Sequence, residues 1–212
     1  KHIYSINLTK AMEQSTRFTA AAIGLMRIIN HFNKEFILSK ENEFSIWHNS
    51  VNLPTRASSI YGLASFAKAQ GLNPKVIVGN HEYNFPNYRF QAYKKEEINN
   101  AKFSSYMHQR KAREDGIEIE ERDFDFEEIK QILKKKNLVL LRLNKQIFHG
   151  MRPEANYFAI FSYNEKANEF TINDPAKGEK IAPEIQLQEA FETLKTKCHR
   201  DNRMLLLVSN SK

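Results

Sequence analysis

Between Phe18 and Phe32 apolar side chains recur at Phe18, Ala21, Ala22, Leu25, Ile28, Ile29 and Phe32. That spacing predicts a helix with one stripe facing a core. Thr19, directly before three alanines, is the candidate cap. A second helix is expected over Lys40 to Asn49, with Phe44 and Trp47 or His48 turned inward. A third is expected over Ser58 to Ala69, carrying Ile60, Leu63, Ala64 and Ala67, with Gly71 and Asn73-Pro74 ending it. The period then changes. Lys75 to Val78 reads as a short strand closed by Gly79-Asn80, and an aromatic-rich stretch runs from His81 to Tyr93. A charged helix follows over Lys94 to Asp115, closed by Gly116. Ile117 to Arg122 alternates as a half-buried strand does, and a helix opens at Asp125 or Phe126 and runs to Lys136.

The last third of the chain is mostly strand. Leu138 to Leu143 is strongly apolar, and Tyr157 to Tyr163 and Glu169 to Ile172 form a pair joined by the polar turn Asn164 to Asn168. Gln186 to Lys197 predicts a helix, and Met204 to Ser209 a final strand. Helices come first and an antiparallel sheet follows, so the expected class is α+β rather than an alternating parallel fold. The chain shows no internal repeat, low-complexity segment or linker, and its 212 residues suit a single domain over 1–212.

Composition narrows the function classes. Hydrophobic residues make up 41% and charged residues 27%, as in an ordinary globular protein. No apolar run approaches the roughly 20 residues of a membrane span, and Lys1 to Lys10 lack the apolar core of a secretory signal. Cys198 is the single cysteine, so no internal disulfide can form, which points to a reducing, cytoplasmic setting. The charge around it in Lys195 to Arg200 could lower a thiol pKa, although an incidental cysteine at a helix end is the simpler account. Neither the cysteine nor the seven histidines show metal-ligand spacing, and no cofactor motif is present. The net charge of +7 comes largely from Lys94-Lys95, Arg110 to Arg113 and Lys134 to Lys136. These runs sit on Glu-rich helices and lack a nucleic-acid-binding signature, so solvated faces explain them better than nucleic acid does.

Cysteine-peptidase chemistry needs a thiolate at a helix N-terminus, a histidine on another element, an Asp or Asn to orient it, and a donor for the oxyanion. Here Gln14 stands six residues before Ala20 at the head of the first helix. Asn156 opens a strand that leads into Asn173-Asp174-Pro175. The run from Gln14 to Ala20 with Leu25-Met26, the segment Glu43 to Trp47, the strand Leu138 to Leu141, the run Asn156 to Ile160 and Asp174-Pro175 together resemble the bacteriocin-processing, ABC-transporter peptidase-domain-like cysteine peptidases. The segment Glu43 to Trp47 is most similar to their stand-alone branch. The resemblance implies a papain-like fold, with N-terminal helices on a C-terminal antiparallel sheet. It implies that Ala20 occupies the nucleophile position, Asn156 the histidine position, Asp174 the orienting position and Gln14 the oxyanion position.

Ala20 has no nucleophile, and an amide at Asn156 has no accessible protonation change. Ala21-Ala22 replace the family's Gly-Pro, and Leu53-Pro54-Thr55-Arg56 stands where a Gly- and His-rich loop is usual. The expectation is therefore a degenerate peptidase homologue that binds a peptide or protein in a vestigial cleft. The alternatives are a thiol peptidase or acyl-transfer enzyme whose nucleophile has been replaced by alanine, and a structural or nucleic-acid-associated protein using its basic faces. His149, before Gly150, reads as a solvent-facing loop residue, and the aromatic run of Tyr83, Phe85, Tyr88, Phe90 and Tyr93 as either a groove lining or a packed lid.

Overall fold

The computed structural model describes residues 13–85 and 93–208. Its first third is helical: α1 (Ala20–Phe32), α2 (Lys40–Ser50) and α3 (Ile60–Ala69), with a small ladder of β1 (Val51–Asn52) and β2 (Ala57–Ser58) between the last two. There follow β3 (Asn73–Val78), α4 (Lys95–Glu114), β4 (Glu118–Glu121), α5 (Phe126–Lys134) and β5 (Leu138–Asn144). The chain continues through α6 (Gln146–His149), β6 (Ala155–Asn164), β7 (Glu169–Asp174), β8 (Gly178–Pro183), α7 (Glu184–Cys198) and β9 (Arg203–Val208).

Seven strands make one sheet in the order β4-β3-β9-β5-β6-β7-β8. Every neighbour is antiparallel except the edge pair β3 and β4. The fold is α+β and papain-like in kind, with two additions to the sequence expectation. β3 and β4, from the first part of the chain, join the sheet, and helices cover both of its faces. On one face α1 and α3 bury Ile23, Leu25, Ile28, Leu63 and Ala67 against Val76, Leu140, Ala159 and Leu205. On the other, α5 and α7 bury Ile129, Leu133, Leu187 and Phe191 against Leu141, Leu143, Phe158, Ile160 and Ile172. The pleat explains the division, since successive residues of β5 and β6 point to opposite faces.

Helix α1 lies close on the sheet because Gly24 faces it. A Cβ there would stand 2.6 Å from Leu140 Cδ1 and 3.9 Å from Ala159 Cβ. Helix ends follow their local chemistry. Ser39 accepts from Asn42 N–H at the head of α2, Asp125 accepts from Glu128 N–H at the head of α5, and Gly71 and Gly116 adopt positive φ after α3 and α4.

Several expectations need correction. Helix α2 turns Glu43, Ile46 and Ser50 inward and rests Trp47 against the core as expected, whereas Phe44 is only half-buried. Trp47 is half-buried with Nε1 donating to the Arg56 carbonyl at 3.0 Å, and His48 is exposed. Phe85 is buried and Tyr83 borders a cleft, so the aromatic run supplies both a packed side chain and a groove lining, whereas Tyr88 and Phe90 lie outside the described residues. The end of the expected last strand, Ser209, also lies outside them.

Candidate functional site

The loop leading into α1 is held by polar side chains. The Gln14 N–H donates to the Pro175 carbonyl at 2.8 Å, tying the loop to the end of β7. Ser15 donates through its N–H and its hydroxyl to the two carboxylate oxygens of Glu43, at 2.7 and 2.5 Å. Glu43 has no exposed surface, so these bonds satisfy an otherwise costly buried carboxylate and fix the loop on α2. Thr19 does stand at the cap position of α1, but its hydroxyl donates back to the Thr16 carbonyl at 2.9 Å and makes no cap bond to the helix. Phe18 is held between two guanidinium groups, Arg17 at 4.7 Å and Arg56 at 4.3 Å from its ring centre.

This loop delivers Ala20 to the first position of α1, where it borders a cleft of about 360 Å³. Arg17, Phe18, Ala20 and Ala21 form one side, Thr55, Ala57 and Ser58 another, and Ala155, Asn156 and Tyr157 the strand side. Two of the four residues expected to mark a site, Ala20 and Asn156, thus meet at one opening. Asn156 is half-buried, and its Oδ1 accepts from the Tyr157 N–H at 2.9 Å.

Asp174 and Gln14 are not among the residues that line this opening. Asp174 is fully buried at the end of β7. Its Oδ2 accepts from Lys180 at 2.8 Å and stands 2.9 Å from His149 Nε2, while its Oδ1 accepts from the Ala176 N–H at 3.0 Å. Burial pushes the Asp174 carboxyl up, but the Lys180 hydrogen bond, the Ala176 N–H and the charges of Lys180 and His149 outweigh it and hold the group below its usual range. His149 is therefore not the solvent-facing loop residue that its sequence position suggested. It ends the single turn α6, its side chain is only 14% exposed, and it is the imidazole on the aspartate. A one-turn helix carries no periodic signal, so only the Asp174 pairing reveals it.

The cleft's deep wall is basic, which the sequence reading missed. Arg142 of β5 and Tyr157 of β6 are directly opposed in the ladder, one pleat step beyond the Leu140 and Ala159 pair that packs under Gly24. Arg142, 2% exposed, gives Nε and Nη2 to the Asp201 backbone carbonyl and Nη2 also to the Asp201 carboxylate, which accepts from Arg203 Nε at 2.9 Å. Among the described residues Arg142 Nη1 has no hydrogen-bond partner, and neither has the hydroxyl of Tyr157. Each unmade bond of this kind costs about 1–3 kcal/mol. Burial pushes the Tyr157 phenol up to about 12, against the pull of Arg142 and Arg203. Arg142, Arg200 and Arg203 also surround the ring of Tyr83, at 5.6, 5.4 and 4.8 Å. The sequence signal was an arginine inside the apolar strand Leu138 to Leu143 and two more in Arg200 to Arg203, all easily read as surface charge.

Chemically, the opening offers hydrogen bonding and positive charge, with no thiol or imidazole among its lining residues. Cys198 ends α7, is buried, and its thiol is pushed up to about 11 by that burial, so nearby basic charge does not activate it. Among the described residues no group of three or more His, Cys, Asp and Glu is placed to hold a metal, and no helix is long and apolar enough to cross a membrane.

The sheet, the helix laid across it and the loop-delivered helix N-terminus define a peptidase-related papain-like protein. A model of the Peptidase_C39 like family matches residues 9–190, and the chain belongs to that family. No curated protein matches the chain.

Proposed function

We propose that residues 1–212 form one degenerate papain-like domain, of the stand-alone bacteriocin-processing type, that binds a peptide or protein segment in the cleft at the head of α1. The observation that carries this proposal is the meeting of Ala20 and Asn156, far apart in the chain, at one opening. A methyl group and an amide at those positions supply neither a nucleophile nor a base at neutral pH. The single cysteine, buried and unpaired, supports a cytoplasmic setting.

The second reading, a thiol enzyme whose nucleophile has become alanine, gains support from the His149 and Asp174 pair, because such a pair is how a base is oriented. Alkylation with an iodoacetamide probe across pH separates the two. The proteins are the Ala20→Cys, Ala20→Cys/Asn156→His and Ala20→Cys/His149→Gln variants, all with Cys198→Ala. Fast reaction below pH 7 by the Asn156→His combination alone is the expected result for a cleft that has lost its chemistry. Fast reaction by Ala20→Cys alone, abolished by His149→Gln, would favour the second reading. Free-thiol rates throughout would remove the catalytic alignment.

A further inference from the structure

Resting on the proposed peptide-binding cleft, we infer that its deep wall is a carboxylate pocket, in which Arg142 Nη1 and the Tyr157 hydroxyl take the two oxygens of an acidic group on the bound peptide. Both donors are on residues more than nine-tenths buried, both residues border the cleft, and neither atom has a partner among the described residues; both have almost no surface of their own, so a ligand oxygen reaches them only as the two side chains shift. Folding would ordinarily remove such atoms from the interior or pair them, so two on opposed residues of neighbouring strands suit a ligand oxygen pair.

The charge balance of the wall sets the sign of the ligand. Among the described residues Arg142 and Arg203 share a single carboxylate, Asp201, and Arg200, whose Nη1 donates to the Asn84 carbonyl, lies beside the same Tyr83 ring. Nearer the opening, Lys145 is matched by Glu154 at 2.8 Å, and the first turn of α1 adds its positive end. A net positive, desolvated wall favours an anion over a neutral amide. One guanidinium nitrogen plus one phenol make a two-point donor set, which fits a planar carboxylate better than a tetrahedral phosphate dianion with three oxygens to satisfy.

Tyr157→Phe tests this without changing charge or ring packing, and it deletes a hydroxyl that has no protein partner. The probes are three fluorescein-labelled mixed-sequence hexapeptide pools, read by polarisation at low salt. One has a free C-terminal carboxylate and no Asp or Glu, one has a C-terminal amide and no Asp or Glu, and one has a C-terminal amide and a single Glu. The expected result is that at least one acidic pool binds about ten-fold tighter than the neutral pool, and that Tyr157→Phe removes most of that advantage. Which acidic pool leads tells a C-terminal carboxylate from a side-chain one. An acidic preference that survives Tyr157→Phe reflects general attraction to a basic protein and overturns the inference. Equal binding of all pools, abolished by Ala155→Trp at the cleft, overturns the carboxylate and leaves the peptide reading standing. Binding by no pool removes both.

Discussion

His149 Nε2 stands 2.9 Å from Asp174 Oδ2, and Lys180 reaches the same oxygen at 2.8 Å. The aspartate is thus flanked by two basic groups in a site with no exposure of its own. Because the folded-state carboxyl lies below its unfolded value of about 3.9, it contributes stability that is fully present above that value and lost as pH falls through the folded one. Asp174→Asn is expected to cost about 1–3 kcal/mol at pH 7 and to flatten the acid limb of a plot of urea midpoint against pH below about pH 4. An acid limb as steep as that of the wild type would mean that other carboxylates carry it.

Among the described residues Asp201 is the one carboxylate shared by Arg142 and Arg203, with side-chain exposures of 3% and 1% for the two arginines. Burial raises its pKa, and the two guanidinium charges more than reverse that. Removing the charge leaves two buried cations without their counter-ion, so Asp201→Asn is expected to destabilise by about 3–5 kcal/mol in chemical denaturation. Adding Arg142→Met should restore part of that loss, because one of the stranded cations goes with it. Strict additivity of the two changes would show that the groups are not coupled.

Much of the frame was legible because its signals are repetitive. Phe18 to Phe32 and Leu138 to Leu143 each repeat one period for long enough to give the core helix and a central strand, and the Asn164 to Asn168 turn gave the β6 and β7 hairpin. Short elements lack that repetition. The strand β8, reading Gly-Glu-Lys-Ile-Ala-Pro, buries only Gly178 and Ala182, neither of which marks an apolar strand. α6 is four residues long, and β1 and β2 are two residues each. Buried charge was equally hidden. Glu43 and Arg142 are charged by sequence and interior by structure because each finds its partner across the fold, on Ser15 and Asp201, and Arg203 pairs with the neighbouring Asp201 but is completed by the distant Asn80 carbonyl. The family resemblance placed Ala20, Asn156, Gln14 and Asp174 in one expected site, of which Ala20 and Asn156 border one opening and the other two do not, whereas the imidazole on Asp174 could be found only in three dimensions.

Gly24 sets how closely α1 lies on β5 and β6. Alanine would improve helix propensity by about 1 kcal/mol, but its Cβ would stand 2.6 Å from Leu140 Cδ1, an overlap that costs about 1–3 kcal/mol in a packed core. The clash wins, and Gly24→Ala is expected to destabilise by about 1 kcal/mol net. Leu140→Val shortens the opposing side chain, so the double variant should be more stable than the sum of the single effects. Thermal or urea midpoints of the four proteins measure that coupling, and its absence would mean that α1 shifts instead of Leu140.

Tyr83 reports on the positive wall without any ligand. Burial alone would push its phenol upward, yet the charges of Arg200, Arg142 and Arg203 together outweigh burial and the opposing Asp201, and the group is held below its ordinary value of about 10. A spectrophotometric titration near 295 nm should therefore contain one tyrosine that ionises ahead of the others, and Tyr83→Phe should remove that component. Tyr157, pushed the other way, should remain protonated beyond the bulk of the titration. Salt screens exposed charges more than buried ones, so the early component should persist at 0.5 M NaCl, an ionic strength at which the Debye length is on the order of 4 Å. Its disappearance there would place the three guanidinium groups in contact with solvent, where they could not hold a desolvated anion.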